Sequence, residues 1–202
     1  ILNLYSPMVT RKIDEILAMN VHVSMICPSH GVIWRKDPLS IVKAYQKWAQ
    51  AYQENQVTIL YDTMWNATRR MAEKIAEGIK KADPTIVVKL FNTAVDDKND
   101  MITEVLKSKA ILVGSPTINY GFLSSIGSMM EMIRGLKFKN KKAAAFGSYG
   151  WSGDSVKQIS ELLDLAGFSV ENEGLKMLWM PDEKGLETCE QFGEDFVKSL
   201  NA

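Results

Sequence analysis

The stretch VTILYDTMWNATRRMAEKIAEGIKK, residues 57–81, decides the fold class. Val57 to Tyr61 is an apolar, β-branched run of strand length, and from Asn66 to Lys81 apolar residues recur at spacings of three and four, the period of an amphipathic helix. The same alternation continues to the end of the chain. Further strands are predicted at Ile86 to Phe91, Ala110 to Gly114, Lys142 to Gly147 and Ser169 to Lys176. Further helices are predicted at Asp100 to Ser108, Ser124 to Arg134, Ser152 to Ala166 and about Asp182 to Leu200. Ile111, Leu112, Val113 and Ala143, Ala144, Ala145, Phe146 are apolar on consecutive residues, as a sheet covered by helices on both faces requires. The class is α/β. With right-handed crossovers, these elements are expected to build a doubly wound five-stranded parallel sheet of order 2-1-3-4-5.

Residues 1–55 depart from that pattern. They contain an amphipathic helix near Val9 to Met19, a short strand Val23 to Cys27, a turn Pro28, Ser29, His30, Gly31, and a helix from about Pro38 to Gln53. A lone strand must pair outside this segment or dock on the second domain. With Ile1 and not Met at the first position, this is the basis for expecting a fragment or a processed chain. A polar stretch, Glu54 to Gln56, marks the boundary between domains 1–55 and 56–202.

The balance of 24 Lys+Arg against 24 Asp+Glu gives no global basic field, which argues against nucleic acid or an anionic membrane as partner. The most basic stretch, Lys137, Lys139, Lys141 and Lys142, reads as a solvated loop. Apolar runs fall far short of the roughly 20 residues that cross a bilayer. Cys27 and Cys189 lack a CxxC partner and no secretory segment is present, so a reducing cytoplasmic setting is expected, with both thiols packed rather than reactive.

In an open parallel sheet, ligands bind beyond the carboxyl ends of the strands where the winding reverses, here at strands one and three. The loop after strand one, Asp62 to Thr68, brings hydroxyls at Thr63 and Thr68 and exposed backbone amides to a helix N-terminus, a suitable phosphate site. It has no Lys and no glycine-rich fingerprint, which argues against a P-loop or a dinucleotide site and leaves a monophosphate such as that of FMN. An ordinary N-cap by Asn66 is the plain alternative. The loop after strand three, Ser115 to Phe122, offers Thr117 and Asn119 to a heteroaromatic ring edge and Tyr120 to its face. The loop after strand four, Ser148 to Gly153, holds Tyr149 and Trp151 between glycines, where backbone can approach a planar ligand.

These runs also carry a resemblance. YDTMWNAT, SPTINYG and AFGSYGWSG resemble the FMN-binding loops of the flavodiiron proteins, and MICPSHGVIWRKDP looks like the last metal-ligand turn of that family's metallo-β-lactamase-like domain. The resemblance implies a flavodoxin-like domain behind a remnant of the di-iron domain. It implies FMN contacts at Thr63, Met64, Trp65, Asn66, Ala67 and Thr68, at Pro116, Thr117, Asn119 and Tyr120, and at Ser148, Tyr149, Gly150, Trp151 and Gly153. Trp65 and Asn66 stand where single-domain flavodoxins have hydroxyl and glycine positions, so phosphate contacts there would be backbone amides. Asp154 stands where many relatives have glycine, and a carboxylate pointing inward there would lower the flavin potential. His30 is the one metal ligand that can be matched, with its partners on sequence outside this chain, whereas His22 reads as a surface residue.

What the resemblance implies for function is an FMN electron-transfer module of an oxidoreductase that reduces dioxygen or nitric oxide at a di-iron centre. It implies a rubredoxin-type or reduced-flavin donor and a head-to-tail homodimer. A free electron carrier or flavin-dependent reductase is the alternative, although carriers docking on basic partners carry an acidic field that this chain lacks. A receiver-type module fits poorly, since strand three ends in Gly114 and not in Asp. Tyr45, Trp48 and Tyr52 read as a core or interface stripe, Met129, Met130 and Met132 as core filling, and Trp34 and Trp179 carry no sequence signal.

Overall fold

The computed structural model describes residues 5–200. The chain divides after Tyr52 into two compact units.

The first unit has two helices, α1 (Ser6–Ala18) and α2 (Pro38–Ala49). Each has a proline in its first turn, where the missing N–H costs nothing. Gln46 of α2 donates to Asp14 of α1 at 3.2 Å. The expected strand Val23 to Cys27 does not form. Ile26 instead exchanges both backbone hydrogen bonds with Trp34 at 3.0 Å, across the turn of Pro28 to Gly31. The pairing partner lies within this segment, across the local turn, and not outside it. No residue of α1 is buried, and on α2 only Ala49 is. Trp48 stacks obliquely on Tyr45 at 5.7 Å.

The second unit is the predicted doubly wound sheet. Its elements are β1 (Glu54–Tyr61), α3 (Ala67–Ala82), β2 (Val87–Asn92), α4 (Lys98–Lys107), β3 (Ser108–Gly114), α5 (Ser124–Leu136), β4 (Lys142–Tyr149), α6 (Asp154–Leu165), β5 (Ser169–Val170), β6 (Leu175–Leu178) and α7 (Glu183–Leu200). All strand pairs are parallel, in the order β2-β1-β3-β4-β5. Successive β3 residues face opposite ways. Ala110 and Leu112 pack with Met71, Ile75 and Ile79 of α3 and Phe196 of α7, while Ile111 and Val113 pack with Val105 of α4, Ile133 of α5 and Ile159 of α6. Both faces are therefore core, which is why the strands read as continuous apolar runs.

The last strand differs from the expectation of one run from Ser169 to Lys176. The pairing offset grows from Lys142↔Ser169 to Phe146↔Leu175, so the chain loops out between β5 and β6 before rejoining β4. Gly174, at φ +83°, makes that excursion, with its N–H bonded to the Asn172 side chain at 2.9 Å. The excursion lets β6 run alongside the end of β4 as far as Tyr149↔Leu178, which brings the next residue, Trp179, level with the loop after β4.

Two polar expectations need correction. Lys141 is not solvated: it is 3% exposed, and its Nζ donates to Leu106 O at 2.9 Å and also to Ser108 O. Lys142 reaches Ser199 O at 2.6 Å and Glu171 at 3.2 Å. Of the two thiols only Cys189 is packed; Cys27 is exposed.

Candidate functional site

The loops after β1, β3 and β4 meet at the carboxyl edge of the sheet, with Trp179 after β6 as a fourth contributor. They enclose a cavity of about 540 Å³ and an adjoining one of about 350 Å³, which share Met64, Trp65, Thr117, Gly150 and Trp179. Both volumes fall in the range of small-molecule sites. Around them Trp65 is 89% exposed, Trp151 83%, Tyr120 74% and Trp179 59%. Four large aromatics left in water around one concavity form an apolar surface with no partner inside the unit, the mark of a ligand site.

In the first loop Trp65 and Asn66 take consecutive left-handed conformations, φ +52° and +62°. Asn66 stands at the N-cap of α3 but its side chain makes no capping bond. The plain N-cap alternative is therefore not what the loop is built for. The Thr63 hydroxyl makes only two long backbone contacts, accepting the Arg69 N–H at 3.4 Å and donating to Met64 O at 3.5 Å. A helix start entered through two left-handed residues, with little side-chain capping, directs backbone N–H groups and the positive end of the helix dipole outward. Thr68 plays a different part from that expected. It is fully buried and its hydroxyl lies 3.2 Å from that of Ser148, tying the first loop to the third. Behind the loop, Asp62 accepts from the Thr63 N–H at 2.7 Å and from the Ser125 hydroxyl at 2.5 Å.

In the second loop Ile118 and Gly121 exchange both backbone hydrogen bonds, at 3.1 and 2.8 Å, around Asn119 at φ +50° and Tyr120 at φ +59°. This is a two-residue turn with both central residues left-handed, of type I′. Asn119, Tyr120 and Thr117 line the larger cavity and Pro116 the smaller. The Thr117 hydroxyl is engaged elsewhere: it lies 2.9 Å from Ser155 Oγ and accepts the Ser155 N–H at 3.3 Å, in the first turn of α6. Thr117 is thus a tertiary cap of α6, its hydroxyl engaged with Ser155.

In the third loop Gly150 lies flat against Trp179: a Cβ there would sit 3.0 Å from the indole. Trp151 meets Trp179 edge to face at 6.0 Å. Ser148, Tyr149, Ala67 and Met64 line the smaller cavity, and Gly153, at φ +69°, packs on the Tyr149 ring. Asp154 is not among the residues lining either cavity; it opens α6, where the helix dipole favours a carboxylate. Of the cavity-lining residues, Ile118, Ser152, Trp179 and Met180 were not among those the sequence pointed to, and Trp179 is the aromatic one. Its signal was its register: it follows a strand that ends beside β4.

His30 lies in the first unit, exposed, at the rim of a separate cavity of about 450 Å³ whose other lining residues include Ile13, Trp34 and Tyr45. Among the described residues no three His, Cys, Asp or Glu side chains are grouped as a metal site would need. Among them, too, no helix is long and apolar enough to cross a membrane.

A family model described as flavodoxin matches residues 59–193, and the chain belongs to the flavodoxin family. Over 98% of its length it is 49% identical to the anaerobic nitric oxide reductase flavorubredoxin of Salmonella paratyphi B, of which it spans 41%. Among solved structures it superposes on rubredoxin oxygen:oxidoreductase from Desulfovibrio gigas with a TM-score of 0.90, at 32% identity, covering 98% of this chain and 50% of that one. The flavodiiron protein of Giardia intestinalis gives 0.89 at 30% identity, over 100% of this chain and 49% of that one. These similarities run through the first unit as well as the second, and the chain spans about two-fifths of the length of the curated relatives it matches.

Proposed function

We propose that the second unit binds FMN and that the chain is the electron-transfer module of a flavodiiron oxidoreductase that reduces dioxygen, nitric oxide or both. The observation that carries the reading is the pairing of the sparsely capped α3 N-terminus with an aromatic-ringed cavity on the same sheet edge. One accommodates a phosphate and the other a planar ring, and FMN has both. With no Lys between Asp62 and Thr68, phosphate would be held by the amides that follow Trp65 and by the Thr63 hydroxyl. The ring would lie among Trp65, Tyr120, Trp151 and Trp179, with Asn119 and loop peptides at its edge. When bound, FMN accepts electrons in pairs and releases them singly. The protein's part is to hold the ring, orient it and keep water from its faces.

The same reading makes residues 1–55 the end of a metallo-β-lactamase-like domain, with His30 one ligand of a di-iron centre whose other ligands lie on sequence outside this chain. It carries with it a rubredoxin-type or reduced-flavin donor, a head-to-tail homodimer and a cytoplasmic setting. The relatives, a nitric oxide reductase flavorubredoxin and a rubredoxin oxygen:oxidoreductase, support the electron-transfer assignment.

Absorbance and iron analysis of the purified chain after incubation with FMN test the reading. About one tightly held flavin per chain and no stoichiometric iron is the expected result. A chain that stays colourless after gel filtration overturns it.

A further inference from the structure

We propose that Gln158 is a positioning residue of the flavin site, acting through the carbonyl of Tyr120; the proposal rests on the flavin reading above. Gln158 lines neither cavity. Its Nε2–H donates to Tyr120 O at 2.6 Å, the shortest polar contact between α6 and the loop after β3. That carbonyl belongs to a bulky residue at φ +59°. Asn tolerates the left-handed conformation because its short side chain can hydrogen-bond locally, whereas Tyr has no such compensation, so the turn needs an external hold. Residues left in such conformations persist only where their surroundings over-determine them.

The hold is built on one face of α6. Ser155 and Gln158 are three residues apart and so neighbours on the helix surface. Ser155 grips the start of the loop, donating to Ser115 O at 3.0 Å and meeting the Thr117 hydroxyl at 2.9 Å, and Gln158 grips its turn. With Tyr120 O turned toward α6 and the Ile118–Gly121 pair closed, the central peptide of the turn, Asn119 C=O and Tyr120 N–H, has no hydrogen-bond partner among the described residues. Gln158 thereby keeps an open donor and acceptor, and the Tyr120 ring, at the cavity wall.

The test uses the whole chain with Gln158→Ala and with Gln158→Glu, which keeps the side-chain length but at neutral pH has no hydrogen to donate. Both variants are expected to raise the Kd for FMN about tenfold by fluorescence titration, to change the visible circular dichroism of the bound flavin, and to speed exchange of the Gly121 amide in the flavin-free chain about tenfold. Tyr120→Gly supplies the discriminating background: glycine takes the left-handed conformation freely, so adding Gln158→Ala there is expected to change Kd no further. Wild-type affinity and an unchanged flavin spectrum in both variants overturn the proposal, as does an equal loss in the Tyr120→Gly background. A wild-type chain that takes up no FMN overturns the flavin reading itself, an outcome separable from the others.

Discussion

Gly78 of α3 lies so close to Glu190 of α7 that a Cβ on it would stand 1.9 Å from the Glu190 carbonyl oxygen. Gly193 of α7 is in the reciprocal position, where a Cβ would stand 2.3 Å from Ile75 O. Two glycines on facing helices allow backbone-to-backbone packing on this side of the sheet, and Lys81, bonded to Glu190 at 2.6 Å and Glu194 at 2.9 Å, closes the rim. Glycine to alanine inside a helix ordinarily stabilises by up to about 1 kcal/mol. Here Gly78→Ala and Gly193→Ala are each expected to destabilise by about 1 to 3 kcal/mol, as overpacking does. The midpoint of urea unfolding, at unchanged slope, measures it, and a midpoint at or above that of the parent would show that the helices slide apart freely.

Thr63 and Thr68 are separated by what their hydroxyls touch. Thr68→Val strips the buried partner from Ser148 and is expected to cost about 1 kcal/mol of stability in the flavin-free chain. Thr63→Ala is expected to leave that stability nearly unchanged and to weaken FMN binding about tenfold. Paired denaturation and flavin titrations decide, and the reverse assignment of effects would move the phosphate contact from one residue to the other.

Trp151 and Trp179 meet edge to face with both rings largely in water. Aromatic contacts contribute about 0.5 to 1.5 kcal/mol beyond area burial, so Trp179→Ala is expected to weaken FMN three- to tenfold and to alter the near-ultraviolet dichroism of the flavin-free chain. Unchanged affinity would remove Trp179 from the site.

Burial lowers the amine of Lys141 to about 8. In the unfolded chain the group titrates near 10.5, so below pH 8 the folded state carries the full cost of a buried charge. Between about 8 and 10.5 the unfolded state binds more protons than the folded one, and this residue's contribution to stability rises with pH, by roughly 3 kcal/mol in all. Cys189, pushed up to about 12 by burial, acts in the opposite sense above pH 9. The comparison of parent with Lys141→Met cancels that term. The stability advantage of Lys141→Met is expected to shrink as pH climbs from 8 to 10.5, and a difference independent of pH would contradict the burial of the charge.

The sheet and its order were legible because a strand covered on both faces leaves an unbroken apolar run, and each run here is followed by a helix of regular period. The break between β5 and β6 was not, since Glu171 to Gly174 leave and rejoin the sheet through one left-handed glycine, a local event without periodicity. The three loops were legible by composition and by place. The division of labour among their hydroxyls was not: Thr63, Thr68 and Thr117 look alike in sequence, and only the first is left without a close side-chain partner.

By itself the sequence determined the α/β class, the strand order and the sheet edge at which the three loops meet, because these follow from hydrophobic period and the handedness of crossovers, properties each segment carries locally. The tertiary structure alone decided that Trp179 completes the aromatic ring, that Lys141 is buried, and that Gln158 holds Tyr120. Those facts depend on register and on contacts between residues far apart in the chain, and no local pattern encodes which distant side chain will arrive within hydrogen-bonding distance.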